Sequence, residues 1–287
     1  MLPSYMKSIM SETAPDKYKA TWVSHSSISD FLTCPKLYYY RAIYRNPTTG
    51  HKITIMSPPL ALGGVVHDVV ESLSILPVEE RLAVSPLKKY DTAWKNISGE
   101  KGGFKDQDEE GKYYNRGKEM IQRVIDNPGP INKKAVKIKE ELPHYWLSKE
   151  DGIILCGKID WLEYIPKKDA VHIIDFKTGR GEESADSLQL PIYLLLVKNT
   201  QRRQVAKASY WYLDRDVKPK KQTLPDEDES FQKVYTVAKR MKLARSLERF
   251  KCKSDGCRWC GPYERAISGH GKKVGESVYK QDIYVLH

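Results

Sequence analysis

The chain has 287 residues, with 48 Lys plus Arg against 37 Asp plus Glu, so 48 − 37 leaves a formal charge of +11. Its 30% charged and 40% hydrophobic residues form a globular mixture, which excludes a disordered or fibrous chain. Apolar runs such as Leu194-Leu195-Leu196-Val197 are far too short to span a membrane, and five cysteines are too few for a disulfide scaffold.

In chain order, residues 1–21 read as a flexible leader without the apolar core of a signal peptide, which makes an intracellular, cytoplasmic chain the expectation. Ser27-x-x-Asp30 has capping-box spacing and predicts a short helix, ended or bent at Pro35 beside Cys34. The following Leu37-Tyr38-Tyr39-Tyr40-Arg41 is aromatic and basic, and its tyrosines read as core because the helix must pack near Cys34. Leu60 to Leu76 is an amphipathic helix, with Leu62, Val65, Val66, Val69, Leu73 and Leu76 at helical spacing. His67 and Glu71 share another face of it. Residues 77–134 read as a polar, partly helical insertion with loops at 99–103 and 106–111.

From Val136 the pattern becomes that of strands. Val136–Leu142, Ile153–Tyr164 and Val171–Phe176 are separated by turn signals at 148–152 and 166–169, which predicts an antiparallel meander. A helix over Ser184–Asn199, a strand over Ala208–Leu213, a charged loop from Asp214 to Glu229 and a long basic helix over Glu229–Phe250 follow. Residues 250–265 carry three cysteines, and 266–287 read as a polar tail. The mixture of helices and strands indicates an α/β or α+β domain.

Two acids stand out in the meander. Asp160 lies in an otherwise apolar strand, and Asp175 ends the next one, with Lys177 on the same face and Phe176 on the other. Hard oxygen ligands on neighbouring strands select Mg²⁺ or Mn²⁺, and a lysine beside them can orient a water or stabilise phosphate charge. Either acid alone reads as an ordinary strand-end charge.

They do not stand alone. Gly63-x-x-x-His67-x-x-x-Glu71 precedes them, in Gly157-Lys158-Ile159-Asp160 a glycine leads the first acid, and Gln189-x-x-x-Tyr193 follows the second. With the opening Ser26 to Pro35, this series resembles the RecB-like branch of the PD-(D/E)xK nucleases, including its CRISPR-associated and phage exonucleases. The resemblance covers residues 22–265, with 77–134 unmatched. It implies a restriction-endonuclease-like core, a central mixed sheet flanked by helices. It also implies that His67, Asp160, Asp175 and the main-chain carbonyl of Phe176 bind a divalent metal, that Lys177 assists the attacking water, and that Gln189 and Tyr193 hold the substrate. Glu71 is expected to ligate or to support His67. Asp175 stands where glutamate is frequent in the wider superfamily.

The cysteines divide as four plus one. Cys252, Cys257 and Cys260 form C-x4-C-x2-C, Cys34 lies far upstream, and Cys156 reads as a buried small hydrophobe. Zinc and iron–sulfur both accept four thiolates. The resemblance implies a 4Fe-4S cluster clipping the first helix to the C-terminal segment, with zinc as the alternative. The usual third cysteine after the pair is replaced by Ala266, so Cys252 must reach the site from the other side. A basic stretch of Lys239, Arg240, Lys242, Arg245, Arg249 and Lys251 suits a nucleic-acid backbone or a solvated helix face.

Together these features lead to the expectation of a metal-dependent deoxyribonuclease, most simply an exonuclease on single-stranded DNA ends. CRISPR adaptation, phage recombination and repair are the settings, with a helicase, integrase or annealing protein as partner. A catalytically silent nucleic-acid-binding module and a zinc-stabilised scaffold are the alternatives.

Overall fold

Serine chemistry starts the first helix one turn earlier than the Ser27-x-x-Asp30 spacing suggests. The computed structural model describes residues 16–138, 140 and 142–286, so residues 1–15 of the expected leader lie outside the described residues. β1 (Thr21–Val23) leads into α1 (His25–Thr33). The capping box joins Ser24 and Ser27: the Ser27 N–H donates to the Ser24 hydroxyl, and the Ser24 N–H donates to the Ser27 hydroxyl at 2.8 Å. Ser24 takes the cap because its backbone is extended, at φ −135° and ψ 169°, whereas Ser27 is already helical. Asp30 is instead buried and accepts a 2.7 Å bond from Arg41. Pro35 does end α1: Cys34 is extended and Pro35 opens α2 (Pro35–Tyr38), which widens into a π-turn over Tyr39–Ile43.

After β2 (Lys52–Ile55) comes α3 (Pro58–Ser72), which buries Leu62, Val65, Val66 and Val69 as their spacing predicts. That face packs on Tyr90 and Trp94 of α4 (Pro86–Trp94) and on Met120, Ile121 and Val124 of α5 (Gln107–Asp126). Gly117 permits the approach, since a β-carbon there would lie 2.6 Å from Leu62 Cδ1. Residues 77–134 therefore share one core with α3. Residues 106–111, expected as a loop, start a helix because the Asp106 carboxylate accepts the Glu109 N–H at 2.8 Å.

The strands depart from the expected meander in two places. Val136 to Ile138 form no strand; Ala135 makes a single bridge to Glu163, and Val136 N–H donates to Leu162. The first hairpin instead pairs β3 (His144–Ser148) with β4 (Ile153–Cys156). The long strand expected over Ile153–Tyr164 is two strands, broken at residues 157–160 before β5 (Trp161–Ile165). The break hands the chain from one sheet, β1-β4-β3, to another. That second sheet adds β6 (Ala170–Lys177), then, after the crossover helix α6 (Gln189–Thr200), β7 (Gln204–Tyr212) and β8 (Lys220–Gln222). Its order is β5-β6-β7-β8, antiparallel, parallel, antiparallel: a mixed sheet. β8 lies within the stretch expected as a charged loop, and α7 (Glu227–Ser246) begins there, capped by Asp226.

Side-chain alternation along β6 sets the layers. Val171 and Ile173 face a core shared with α6 and α7, while Ile174 and Phe176 face the core of α3, α4 and α5. After α8 (Gly261–Arg265) the expected polar tail is structured. β9 (Lys272–Glu276) and β10 (Gln281–Val285) form a hairpin, and β10 pairs in parallel with β2. The hairpin is held by Asp282, fully buried, which accepts from Asn46, Thr49 and Lys273 at 2.8, 2.6 and 2.6 Å. Among the described residues, no helix is long and apolar enough to cross a membrane.

Candidate active site and metal centre

β6 carries the centre of the site because a strand of period two projects Asp175 and Lys177 to one side while Phe176 anchors the other. Phe176 is buried and packs against Trp161 and Trp211, with ring centroids 6.3 and 6.0 Å away. Lys177 Nζ lies 3.0 Å from Asp175 Oδ2 and 2.7 Å from Glu183. Asp160 stands at the break before β5, where the backbone turns, and its Oδ2 accepts the Phe176 N–H at 2.9 Å. α3 brings the third element, with His67 Nδ1 at 3.1 Å from Glu71 Oε1 and 3.5 Å from Asp160 Oδ2. His67, Glu71 and Asp160 each offer a ligand atom within 4.8 Å of the others.

The electrostatics are those of crowded, buried charges. Burial, then the neighbouring Asp175 charge, pushes the Asp160 carboxyl up; burial likewise pushes Asp175 up, against the pull of Lys177. Burial would lower His67, but its bond to Glu71 and the charge of Asp160 outweigh that and push it up to about 9. Burial would raise Glu71, and its bonds from His67 and Lys158 bring it down instead. Asp175 Oδ2, though at ion-pair distance from Lys177, accepts no hydrogen bond. The imidazole of His67 and the carboxylates of Glu71 and Asp160 lie at metal-like spacing, and the buried Asp175, outside that group, adds a carboxylate oxygen with no hydrogen bond beside them; such donors suit a divalent cation. The residues present thus fit the metal that the sequence resemblance implies.

Gln189 and Tyr193 lie on the first turns of α6, both buried. Gln189 Nε2 donates to Asp175 Oδ1 at 2.6 Å and to the Tyr193 hydroxyl at 3.2 Å, and its Oε1 accepts from Lys177. Gln189 thus links the Asp175 carboxylate, the Lys177 ammonium and the Tyr193 hydroxyl. Three residues near the site carried no sequence signal of their own. Glu183 reaches Lys177 from the loop after β6; Lys158 meets Glu71 at 2.5 Å; His25, at the start of α1, feels the charges of Glu183 and Lys177. Of the three, Lys158 alone lies inside a motif, as its variable position.

The cysteines form a second cluster. Cys34, Cys252, Cys257 and Cys260 bring their Sγ atoms within 4.8 Å of one another, with Cys257 and Cys260 at 3.6 Å. Cys252 does reach the site, through a turn whose Asp255 and Gly256 have φ of 45° and 110°. Backbone N–H groups of Gly256 and Ser254 bring the Cys252 thiol down to about 6, and the Cys260 N–H lowers Cys257. Burial pushes Cys260 up to about 12 and raises Cys34. The tyrosines sort by position: Tyr38 is fully buried, while Tyr40 stacks on Tyr263 at 5.9 Å beside the thiols. Cys156 stays apart, buried in β4.

A third group, His51, Glu276 and Asp282, also has metal-like spacing. Asp282 already accepts from three donors there, one of them the Lys273 ammonium, so the positive charge is supplied by the chain itself.

The family model of the PD-(D/E)XK nuclease superfamily matches residues 22–265. No curated protein matches the chain.

Proposed function

The chain belongs to the PD-(D/E)XK nuclease superfamily, and from that premise we propose that it hydrolyses DNA phosphodiester bonds with Mg²⁺ or Mn²⁺, as an exonuclease on single-stranded ends. The observation that supports this reading most is the meeting of His67 and Asp160 with Asp175 and Lys177 at one end of β6. His67, Asp160 and Asp175 would hold the cation, with the Phe176 carbonyl, and Glu71 would steady His67 through their hydrogen bond. When bound, the cation supplies a Lewis acid and a more acidic water. Lys177 keeps its ammonium beside the carboxylates, where it orients the water and offsets negative charge that develops on the phosphate. Gln189 and Tyr193 hold Asp175 and Lys177 in register, and the strand would pass over them. The RecB-like context proposed is CRISPR adaptation, phage recombination or repair, with a helicase, integrase or annealing protein supplying the free end.

The four cysteines serve a separate structural centre in this reading. The resemblance implies a 4Fe-4S cluster. One observation favours zinc as a second reading: thiolates about 2.3 Å from a single tetrahedral ion lie about 3.8 Å from each other, near the 3.6 Å between Cys257 and Cys260. A four-iron cluster spreads its ligands further apart.

End-labelled single-stranded DNA, digested with Mn²⁺ with and without chelator, tests the activity. Shortening from one end that stops with chelator is the expected result. No cleavage by folded protein with its thiol site filled would leave a binding module. Iron and zinc content of an anaerobic preparation decides the second centre, brown with stoichiometric iron or colourless with one zinc.

A further inference from the structure

The loop that leaves β6 opens onto a cavity of about 420 Å³. Its lining includes Thr178, Gly179 and Arg180 from that loop and Lys112, Tyr113 and Arg116 from α5. Arg180 follows Lys177 by three residues, so their Cα atoms lie within about 11 Å of each other. Pro59 also lines the cavity, and it stands at the start of α3, the helix that carries His67.

The charges there are unbalanced. Among the described residues, no carboxylate lines the cavity. Arg116 is spoken for: its guanidinium bonds Asp214 at 2.9 and 3.2 Å and the Thr178 carbonyl at 2.7 Å, which ties α5 to the loop after β6. Lys112 and Arg180 form no ion pair among the described residues and converge on the cavity with exposed side chains. Of the nearby acids, Asp214 pairs with Arg116 and Glu182 with Arg215 and Lys220, while Asp106 feels the Lys112 charge without forming an ion pair with it. Tyr113 supplies a half-buried ring beside the two cations. Two cations without a carboxylate partner, an aromatic ring and a fixed loop make a receptor for one phosphodiester with its sugar.

We infer that Lys112 and Arg180 hold a phosphodiester of the substrate strand adjacent to the scissile one. The inference rests on the nuclease reading above and deepens it. It also gives residues 77–134 a role, since α5 forms one wall of the strand's path, joined to the catalytic strand through Arg116. A strand gripped there has its register set by the cavity, which decides which linkage reaches the carboxylates.

The test uses the full chain with its metal centres and a set of single-stranded oligonucleotides, each with one neutral methylphosphonate linkage. Wild type is compared with Lys112→Glu/Arg180→Glu and with Lys118→Glu, a charge change on the same helix outside the cavity. The double variant is expected to raise KM at least tenfold with kcat changed less than threefold, and Lys118→Glu to do neither. Its binding should fall less steeply with salt, by about 1.4 on a log–log plot, two contacts at about 0.7 each. One neutral linkage should weaken binding by wild type but leave the double variant unaffected. Equal losses in both proteins, or no sensitive linkage, would overturn the inference while cleavage by wild type keeps the nuclease reading intact. Inorganic phosphate that competes as strongly as the oligonucleotide would also overturn it, by making the cavity a free-anion site. No cleavage by wild type sinks the nuclease reading instead.

Discussion

The two candidate metal centres of this chain are built on opposite plans. The carboxylate site draws on α3, β5, β6 and α6, and nearly every charge in it already has a protein partner: His67 with Glu71, Glu71 with Lys158, Lys177 with Asp175 and Glu183. The thiol site joins residue 34 to residues 252–260, on segments with little regular structure, and its sulfurs have mainly one another and backbone N–H groups. A site whose charges are internally offset keeps its shape before a cation arrives. A site of thiolates alone is completed by the metal, and binding there is folding free energy. The candidate catalytic centre is thus preorganised by ordinary ion pairs, and the thiol centre has the make-up of a metal clip.

The largest expected effect separates chemistry from stability at the first site. Asp175→Asn should lower cleavage by roughly a thousandfold, as loss of a ligand and a charge at the reacting centre does. It should leave thermal stability of the metal-free protein unchanged or raised, because a neutral group replaces a carboxylate whose burial is costly and whose charge presses on Asp160. A variant that unfolds would show that the carboxylate is needed by the fold and would break the contrast.

The second site predicts the opposite pattern. Cys252→Ser should cut metal content at the thiol centre and lower the melting temperature by on the order of 10 °C. Cleavage at a temperature where the variant remains folded should stay within about threefold of wild type. Scanning calorimetry with metal analysis checks the first part, and a cleavage assay the second. Loss of activity in folded protein would mean that the clip shapes the active site.

How much of this was legible in the residues follows the range of the interactions. Asp175 and Lys177 could be placed on one face because strand alternation is local, and His67 with Glu71 because they are one helical turn apart. The break at Gly157–Asp160 was not legible, since an apolar run does not say where a chain changes sheets. Nor were Lys158 and Glu183 as partners of Glu71 and Lys177, because loop closure brings them together. The hairpin of β9 and β10 was hidden by its lysines and by Asp282, whose buried carboxylate draws donors from Asn46 and Thr49, more than 200 positions upstream, besides its neighbour Lys273. The same holds for 77–134: its polar sequence suggests an appendage, while Tyr90, Trp94 and Met120 lie in the core of α3.

A smaller effect refines the catalytic side. Glu183 pairs with Lys177 as Asp175 does, and the ammonium responds to both: burial would lower it, and the two carboxylates raise it. Glu183→Gln keeps the shape and removes the charge. Cleavage should fall about tenfold in kcat with KM little changed, the signature of an interaction felt in the transition state and not in binding. An equal rise in KM would instead make Glu183 part of the strand's path.

The smallest effect probes what stands behind the thiol clip. Ile53, Ile55 and Tyr284, from β2 and β10, pack in the same cluster as Cys34, Cys260 and Tyr263, so the Asp282 hub supports the clip from outside. Burial would raise the Asp282 carboxyl, but bonds from Lys273, Thr49, Asn46 and His51 outweigh it and hold it at about 2, below its ordinary 3.8. A carboxyl depressed on folding stabilises above its unfolded value, and that stability is lost as pH falls through the window from 3.8 to about 2. Asp282→Asn should therefore cost about 2 kcal/mol near neutrality, by weakening bonds to buried donors. The gap between wild type and variant should be constant above about pH 5 and narrow toward about pH 3, where wild type also begins to lose the charge. Denaturant melts at a series of pH values measure that gap. One that stays constant down to pH 3 would show that the hub acts by shape alone, and that the clip rests on packing and not on charge.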